Sequence, residues 1–228
     1  HSIDKDIDNT MKRTSKRPVA GDRISRTNAL IFGIVLNLLS FLILFLLTNI
    51  LAAFMAISGT LFYILIYSLW LKKKTIHNIV IGGAAGCFPP LVGWAAVTGN
   101  LSLSAWYLFA IIFFWTPPHF WALAMLMKDD YSNAKIPMLP SVVGIDATFK
   151  PMMLHTITLV LLTLTMALIN EKLGLIYLIS CSIIGVYYIY ITFKISKDYT
   201  KEENLKVYKF SLLYMMLFSF IVIIDSLI

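Results

Sequence analysis

Two short acidic clusters, in a chain that is otherwise mostly apolar, carry the residue types best suited to chemistry. The first comprises Asp4, Asp6 and Asp8 and runs into a basic segment that contains Arg13 and Arg17. Carboxylate oxygens are the ligands that Mg²⁺ prefers in proteins, and guanidinium groups bind phosphate oxygens through paired hydrogen bonds. This combination of side chains is typical of a site for a metal-bound diphosphate.

The spacing of the first cluster suits a shared cation. If residues 4 to 8 are helical, Asp4 and Asp8 lie one turn apart on the same face, and Asp6 points elsewhere. Two carboxylates on one face can share a Mg²⁺ that keeps its other positions for phosphate oxygens and water. The alternative is a solvated acidic patch at a helix end, followed by basic anchors for lipid head groups. Taken alone, this segment favours the solvated patch.

A second acidic cluster favours a metal site over a solvated patch. Lys128, Asp129, Asp130, Tyr131 and Asn133 follow a long apolar stretch. A helical continuation would place Asn133 on one face with either acidic residue, since it lies three or four residues away. Two such clusters at one membrane face predict two metal sites around one diphosphate. The cations would neutralise the leaving diphosphate while an allylic cation develops.

Composition predicts an all-α, polytopic membrane protein. Of 228 residues, 59% are hydrophobic and only 14% are charged, and the mean hydropathy is +0.80. Because about 20 mostly apolar helical residues cross a bilayer, the sequence predicts seven transmembrane helices. The predicted spans are residues 27–48, 50–70, 76–97, 104–127, 152–170, 173–194 and 208–228.

The distribution of basic residues predicts the orientation. If the segment before the first span is cytoplasmic, the cytoplasmic loops hold all but one of the 19 Lys and Arg residues, the exception being Lys172. The positive-inside rule therefore explains the net charge of +7 without a nucleic-acid partner. Both acidic clusters then lie on the cytoplasmic face. The abundance of Ile, Lys and Asn favours a bacterial plasma membrane over a mitochondrial inner membrane.

Several motifs resemble those of the UbiA superfamily of intramembrane prenyltransferases, in its protohaem IX farnesyltransferase (haem O synthase) branch. The resemblance covers the whole chain, strongly from residue 4 to 145 and only by hydropathy beyond. The matching motifs are Asp4-Lys5-Asp6-Ile7-Asp8, Tyr67-Ser68-Leu69-Trp70-Leu71-Lys72, Gly82-Gly83-Ala84-Ala85-Gly86, Thr116-Pro117-Pro118-His119-Phe120-Trp121, Lys128-Asp129-Asp130-Tyr131 and Ile136-Pro137-Met138-Leu139-Pro140.

The resemblance implies a fold of nine transmembrane helices around a central cavity. Seven fall in this chain, so residues 1–228 are expected to be one prenyltransferase domain that is incomplete at its N-terminus. The missing part would hold the first helix, most of the second, and a motif Asn four residues before Asp4. The implied reaction joins the farnesyl group of farnesyl diphosphate to a vinyl group of haem B. It depends on Mg²⁺, water supplies a hydroxyl, and the products are haem O and diphosphate.

The resemblance also implies roles for individual residues. Membrane lipids surround the protein, and haem A synthase and cytochrome oxidase assembly proteins are candidate partners. The expected catalytic metal ligands are Asp4, Asp8, Asp129 and Asp130. The expected contacts to diphosphate or haem are Arg13, Arg17, Lys72, Lys128, Asn133 and His119. For His119 the alternative is a structural hydrogen bond to a carbonyl that Pro117 and Pro118 leave free, and the structural role is slightly favoured.

Two other functions remain open from the sequence. A different UbiA-type enzyme would use an aromatic or quinone-precursor acceptor, but it would not need the Pro-Pro-His and Ile-Pro-Met-Leu-Pro segments. A transporter or seven-helix receptor is the alternative of another class. A transporter should place ionisable residues near the bilayer midplane. The predicted spans are almost free of such residues apart from histidine, which makes this alternative weak.

Overall fold

The computed structural model describes residues 2–227, and all of the regular secondary structure in that range is helical. The helices are α1 (Lys5–Thr10), α2 (Arg26–Leu47), α3 (Ile50–Leu61), α4 (Asn78–Gly82), α5 (Phe88–Thr98), α6 (Leu103–Leu126), α7 (Lys128–Asn133), α8 (Leu139–Val142), α9 (Ile145–Thr165), α10 (Leu175–Lys197) and α11 (Lys201–Leu227). A π-helix (Phe62–Leu71) continues α3. Two 3₁₀ segments, Gly83–Cys87 and Met166–Leu168, follow α4 and α9.

Seven of the continuous helical stretches are long and apolar enough to cross a membrane, which confirms the predicted fold class. They are Arg26–Leu47, Ile50–Leu71, Asn78–Thr98, Leu103–Leu126, Ile145–Leu168, Leu175–Lys197 and Lys201–Leu227. Each overlaps one predicted span. The last residue of the seventh prediction, Ile228, lies outside the described residues.

Two spans begin earlier than the sequence predicted. The fifth begins at Ile145 rather than residue 152, and Pro151 lies inside it. Proline removes one backbone donor and crowds the carbonyl of the preceding turn, yet the helix continues on both sides of Pro151. The seventh begins at Lys201 rather than residue 208, and the Thr200 hydroxyl accepts a hydrogen bond from the Glu203 amide at its start. The two predicted spans began only after the charged residues, whereas both helices begin before their apolar stretches and include those charged residues.

The main core lies among α6, α9, α10 and α11. Its largest fully buried side chains include Trp121, Met152, Tyr177, Tyr188 and Tyr214. Tyr214 donates a hydrogen bond to the Thr163 hydroxyl, which satisfies a phenol in an apolar environment. Among the described residues, most of the large, fully buried side chains lie in these four helices.

The other side of the bundle is more open. Helix α2 packs against α3 and has no buried residue along its 22 positions. The π-helix packs against α4 so closely that a Cβ atom on Gly82 would overlap the Tyr67 ring. A π-helix makes i to i+5 hydrogen bonds and often marks a functional site. This looser half of the fold encloses the main cavity.

Candidate functional site

The main cavity has a volume of about 1730 Å³, and its charged end is lined by residues of α1, the end of the π-helix and α7. We call this charged end the rim; it includes Asp4, Asp8, Arg13, Arg17, Lys72 and Tyr131. The walls come from α2, α3, the π-helix, residues 79–92 and α6, and they are mostly apolar. Small-molecule pockets usually measure about 300 to 1,000 Å³. The cavity therefore has room for two large apolar substrates.

The first acidic cluster lies at the rim as a single helical turn. The Asp8 amide donates a hydrogen bond to the Asp4 carbonyl oxygen at 2.8 Å, where α1 begins. Asp4 and Asp8 are 7% and 3% exposed and both line the cavity, whereas Asp6 is exposed to solvent. This geometry agrees with the helical spacing that the sequence predicted.

Two ion pairs hold the buried carboxylates in place. Lys72 Nζ lies 2.8 Å from Asp4 Oδ2, and Arg17 Nη1 lies 2.9 Å from Asp8 Oδ1 and 3.1 Å from Asp8 Oδ2. An unpaired buried carboxylate would be costly, so both pairs offset the desolvation of the acidic groups. Lys72 directly follows the π-helix. Its pair with Asp4 therefore ties the N-terminal segment to the transmembrane bundle.

Two tyrosines complete the rim. The Arg13 side chain lies close to Tyr131. Burial raises the pKa of Tyr131 and the Asp130 charge adds to this, while Arg13 opposes the rise. The phenol therefore stays protonated at neutral pH. Tyr67 also lines the cavity, and Lys72 Nζ is 6.0 Å from its ring centroid.

Sequence reasoning missed Tyr67 and gave Tyr131 no role of its own. The spacing of Tyr63 and Tyr67, four residues apart on an apolar span, was the available signal. Their ring centroids are 5.5 Å apart and both rings line the cavity. Aromatic residues at such spacing usually pack in a core, so this signal could not separate a cavity wall from ordinary packing.

The second acidic cluster lies on α7, directly after α6. Tyr131 faces the cavity, but its neighbours Asp129, Asp130, Lys128 and Asn133 are not among the residues that line it. Within residues 2–227, no three His, Cys, Asp or Glu side chains form a group that could hold a metal ion. The four predicted aspartates are therefore not one cluster. That Asp4 with Asp8 and Asp129 with Asp130 form two separate metal-binding pairs stays a prediction.

His119 lies in the core rather than on the cavity wall. Its Nδ1 atom is 2.7 Å from the Ser211 hydroxyl of α11, and its ring stacks between Trp115 and Tyr208. Ser211 donates its own proton to the Tyr208 carbonyl oxygen at 2.6 Å, so it accepts the bond from His119. The ring thus has a structural partner, a hydroxyl rather than the freed carbonyl that the sequence suggested.

The rim fits a divalent cation bound to a diphosphate. Asp4 and Asp8 supply carboxylate oxygens on one helical turn, which suit Mg²⁺. Arg13, Arg17 and Lys72 supply positive groups beside them for phosphate oxygens. The charged side chains that line the cavity all lie at the rim, and the mostly apolar walls lie behind it. The arrangement suits a substrate with an anionic head and a hydrocarbon tail.

Comparison with known sequences identifies the family. The model of the UbiA prenyltransferase family matches residues 1–220. The protoheme IX farnesyltransferase of a Picosynechococcus species is 45% identical over 225 residues, which cover 98% of this chain and 71% of that protein. The protein of the same name from Thermus thermophilus is 48% identical over 215 residues, covering 94% of this chain but only 35% of the longer relative.

Two solved structures share the fold. A digeranylgeranylglyceryl phosphate synthase superposes with a TM-score of 0.78 at 22% identity, over 99% of this chain and 78% of its own. A UbiA homologue from Archaeoglobus fulgidus, bound to DMAPP and Mg²⁺, gives a TM-score of 0.69 at 16% identity, over 100% of this chain and 81% of its own. Family match, relatives and fold agree: the chain belongs to the UbiA prenyltransferase family.

Proposed function

We propose that this protein transfers the farnesyl group of farnesyl diphosphate to a vinyl group of haem B, giving haem O and diphosphate. The observation that carries the proposal is the pair of buried carboxylates, Asp4 and Asp8, beside three cationic side chains at the mouth of a large apolar cavity. The choice of acceptor rests on relatives named protoheme IX farnesyltransferase, which are 45 to 48% identical to this chain.

The rim binds the diphosphate. Asp4 and Asp8 would hold Mg²⁺, which when bound neutralises the leaving diphosphate and makes it a better leaving group. Arg13, Arg17 and Lys72 contact the phosphate oxygens and orient the allylic carbon toward the cavity. Lys72 already pairs with Asp4, and Arg17 with Asp8. Positive side chains for the diphosphate and carboxylates for Mg²⁺ therefore lie next to each other.

The cavity controls the carbon chemistry. The bond between the allylic carbon and the diphosphate oxygen breaks, and its electron pair leaves with diphosphate. The vinyl group of haem B supplies the electrons of the new carbon–carbon bond, and water then adds to the resulting cation and loses a proton. The apolar walls keep bulk water from the allylic cation, and the Tyr67 ring lies at the boundary between rim and wall.

The second cluster completes the proposed site. Asp129 and Asp130 serve as a second pair of Mg²⁺ ligands, and Lys128 and Asn133 contact the diphosphate. Support comes from Tyr131, which lies on the same short helix, lines the cavity and lies close to Arg13. His119 is left out of the site because its buried ring stacks on Trp115 and Tyr208 and it is not among the residues that line the cavity.

The protein is an integral membrane protein, and we propose a bacterial plasma membrane with the rim on the cytoplasmic side. The support is the distribution of charge, in which Lys172 alone among 19 Lys and Arg residues falls on the opposite side of the proposed topology. Residues 1–228 act as one prenyltransferase domain. Haem A synthase or cytochrome oxidase assembly proteins would receive the product.

The test uses membranes that contain the protein, supplied with haem B, farnesyl diphosphate and Mg²⁺, and follows the mass of the haem pigment. The wild type forms haem O, and chelation of Mg²⁺ stops the reaction. Asp4→Asn and Asp8→Asn each reduce the rate by about 100-fold or more, the scale of losing one electrostatic contact to a developing charge. Asp129→Asn reduces it as well.

Asp6→Asn is the matched control, because Asp6 lies on the same helix but is exposed. It should keep the wild-type rate. If Asp4→Asn and Asp8→Asn behave like Asp6→Asn, the metal assignment at the rim is wrong.

A further inference from the structure

Gly86 lines the cavity at a position where neither packing nor backbone geometry requires a glycine. Within residues 2–227, a Cβ atom added there would meet nothing within 4 Å, and Gly86 is not among the residues with positive φ. By contrast, a Cβ on Gly83 would lie 2.7 Å from Thr116 Cγ2, and one on Gly59 would lie 2.7 Å from Phe88 Cβ. Glycine in a helical segment costs stability relative to alanine. Some other requirement therefore explains Gly86.

Gly86 lies well below the rim. Asn78 marks the rim level, because its side chain donates hydrogen bonds to the carbonyl oxygens of Lys72 and Pro137. From its neighbour Ile79 the chain runs along the cavity wall through α4 and the 3₁₀ segment to Gly86. Helical rises of about 1.5 and 2.0 Å per residue place Gly86 roughly 12 Å deeper than Ile79.

The wall around Gly86 is apolar. Its cavity-lining neighbours in sequence are Ala85, Phe88 and Pro89, with Val92 one turn further on. Three polar side chains that line the deeper cavity, Asn37, Ser40 and Thr60, belong instead to α2 and α3. Thr116 of α6 also lines the cavity, but its hydroxyl donates a hydrogen bond to the Ile112 carbonyl oxygen. A hydrocarbon tail attached to a diphosphate at the rim fits the apolar wall. An acceptor that carries polar groups fits the α2–α3 wall.

We propose that Gly86 sets the length of the prenyl chain that the donor site accepts. The missing side chain leaves a passage along the apolar wall, and a longer tail continues through it past residue 86. A side chain at this position would close the passage and leave room only for a shorter tail. This inference rests on the proposed prenyl diphosphate site and adds a specificity-determining residue to it.

The test measures the affinities of three donors without the acceptor. The protein in lipid nanodiscs with Mg²⁺ is titrated with geranyl, farnesyl and geranylgeranyl diphosphate, which differ by one isoprene unit each. Gly86→Leu should weaken the two longer donors by about tenfold or more, a discrimination typical of apolar pockets that lose room for carbon atoms. Its affinity for geranyl diphosphate should stay within about threefold of wild type.

Gly86→Ala is a smaller change, which keeps the test valid if Gly86→Leu fails to fold. It should lower the affinity for geranylgeranyl diphosphate relative to geranyl diphosphate by about threefold. Gly93→Leu is the matched control. Gly93 also has open space beyond its Cα and lies in the same transmembrane span, but it does not line the cavity. It should leave all three affinities unchanged.

The outcomes separate this inference from the proposed function. Suppose that the wild type binds the donors, and that both Gly86 variants either lose the same affinity for all three or lose none. The length assignment is then overturned, while the donor site stands. If the wild type binds none of the three donors in the presence of Mg²⁺, the proposed function fails and the length assignment fails with it.

Discussion

The ion pair between Asp4 and Lys72 should be essential for the stability of the rim. Their side chains are only 9% and 13% exposed, and the charged atoms are 2.8 Å apart. At an effective dielectric constant of about 20, the Coulomb attraction at this distance is about 6 kcal/mol before desolvation is counted. Lys72→Met removes the cation and leaves the Asp4 carboxylate buried without it. Removing one partner of a buried pair typically costs about 3 to 5 kcal/mol.

The measurement is thermal unfolding of the purified protein in nanodiscs. For a chain of this size each kcal/mol shifts the melting temperature by about 2 to 4 °C. Lys72→Met should therefore lower it by about 6 °C or more. Adding Asp4→Asn to that variant removes the uncompensated charge, so the double variant should recover most of the loss.

Lys73→Met is the control, since Lys73 is adjacent in sequence but exposed. Surface charges contribute little, so its melting temperature should match the wild type within about 1 °C. The reasoning is refuted if Lys72→Met is as stable as Lys73→Met. It is also refuted if the double variant is no more stable than Lys72→Met alone.

Two further predictions concern buried rings. Because burial raises the pKa of Tyr131, folding favours the protonated phenol; this contribution is complete below the unfolded pKa of about 10 and is lost as pH rises above it. Tyr131→Phe should therefore lose less stability than wild type above pH 10, and parallel unfolding curves would contradict this. His119→Phe leaves Ser211 without its donor, which should cost about 1 to 3 kcal/mol of unfolding free energy. Haem titration should show unchanged affinity, and lost haem binding at unchanged stability would reverse the structural assignment.

Much of the fold could be predicted from hydropathy alone, because a bilayer demands about 20 apolar residues per helix. All seven spans were found in this way. The predicted starts of the fifth and seventh spans were wrong because apolar composition indicates which residues can lie in the membrane. It does not indicate how far the helix continues beyond it. The cap at Thr200 is a local hydrogen bond to the Glu203 amide, which the charge pattern does not reveal. The charge pattern also does not reveal that the helix continues through Pro151.

In the candidate site, too, local features could be predicted from the sequence and long-range contacts could not. The i, i+4 spacing of Asp4 and Asp8 predicted their shared face, since one helical turn determines it. The pairing of Asp4 with Lys72 joins residues far apart in sequence, so no local pattern could reveal it. Tyr67 was missed for a different reason: its four-residue spacing from Tyr63 is also typical of core packing, and the cavity that both rings line is formed by residues distant in sequence.

The central claim is that the rim activates a farnesyl donor for transfer to haem. The most direct measurement offers the protein equal concentrations of haem B and 4-hydroxybenzoate, with farnesyl diphosphate and Mg²⁺ in membranes, and identifies the products by mass. The proposed function predicts haem O and free diphosphate in equal amounts, with hydroxybenzoate unchanged. Farnesylated hydroxybenzoate formed while haem B stays unmodified would contradict it.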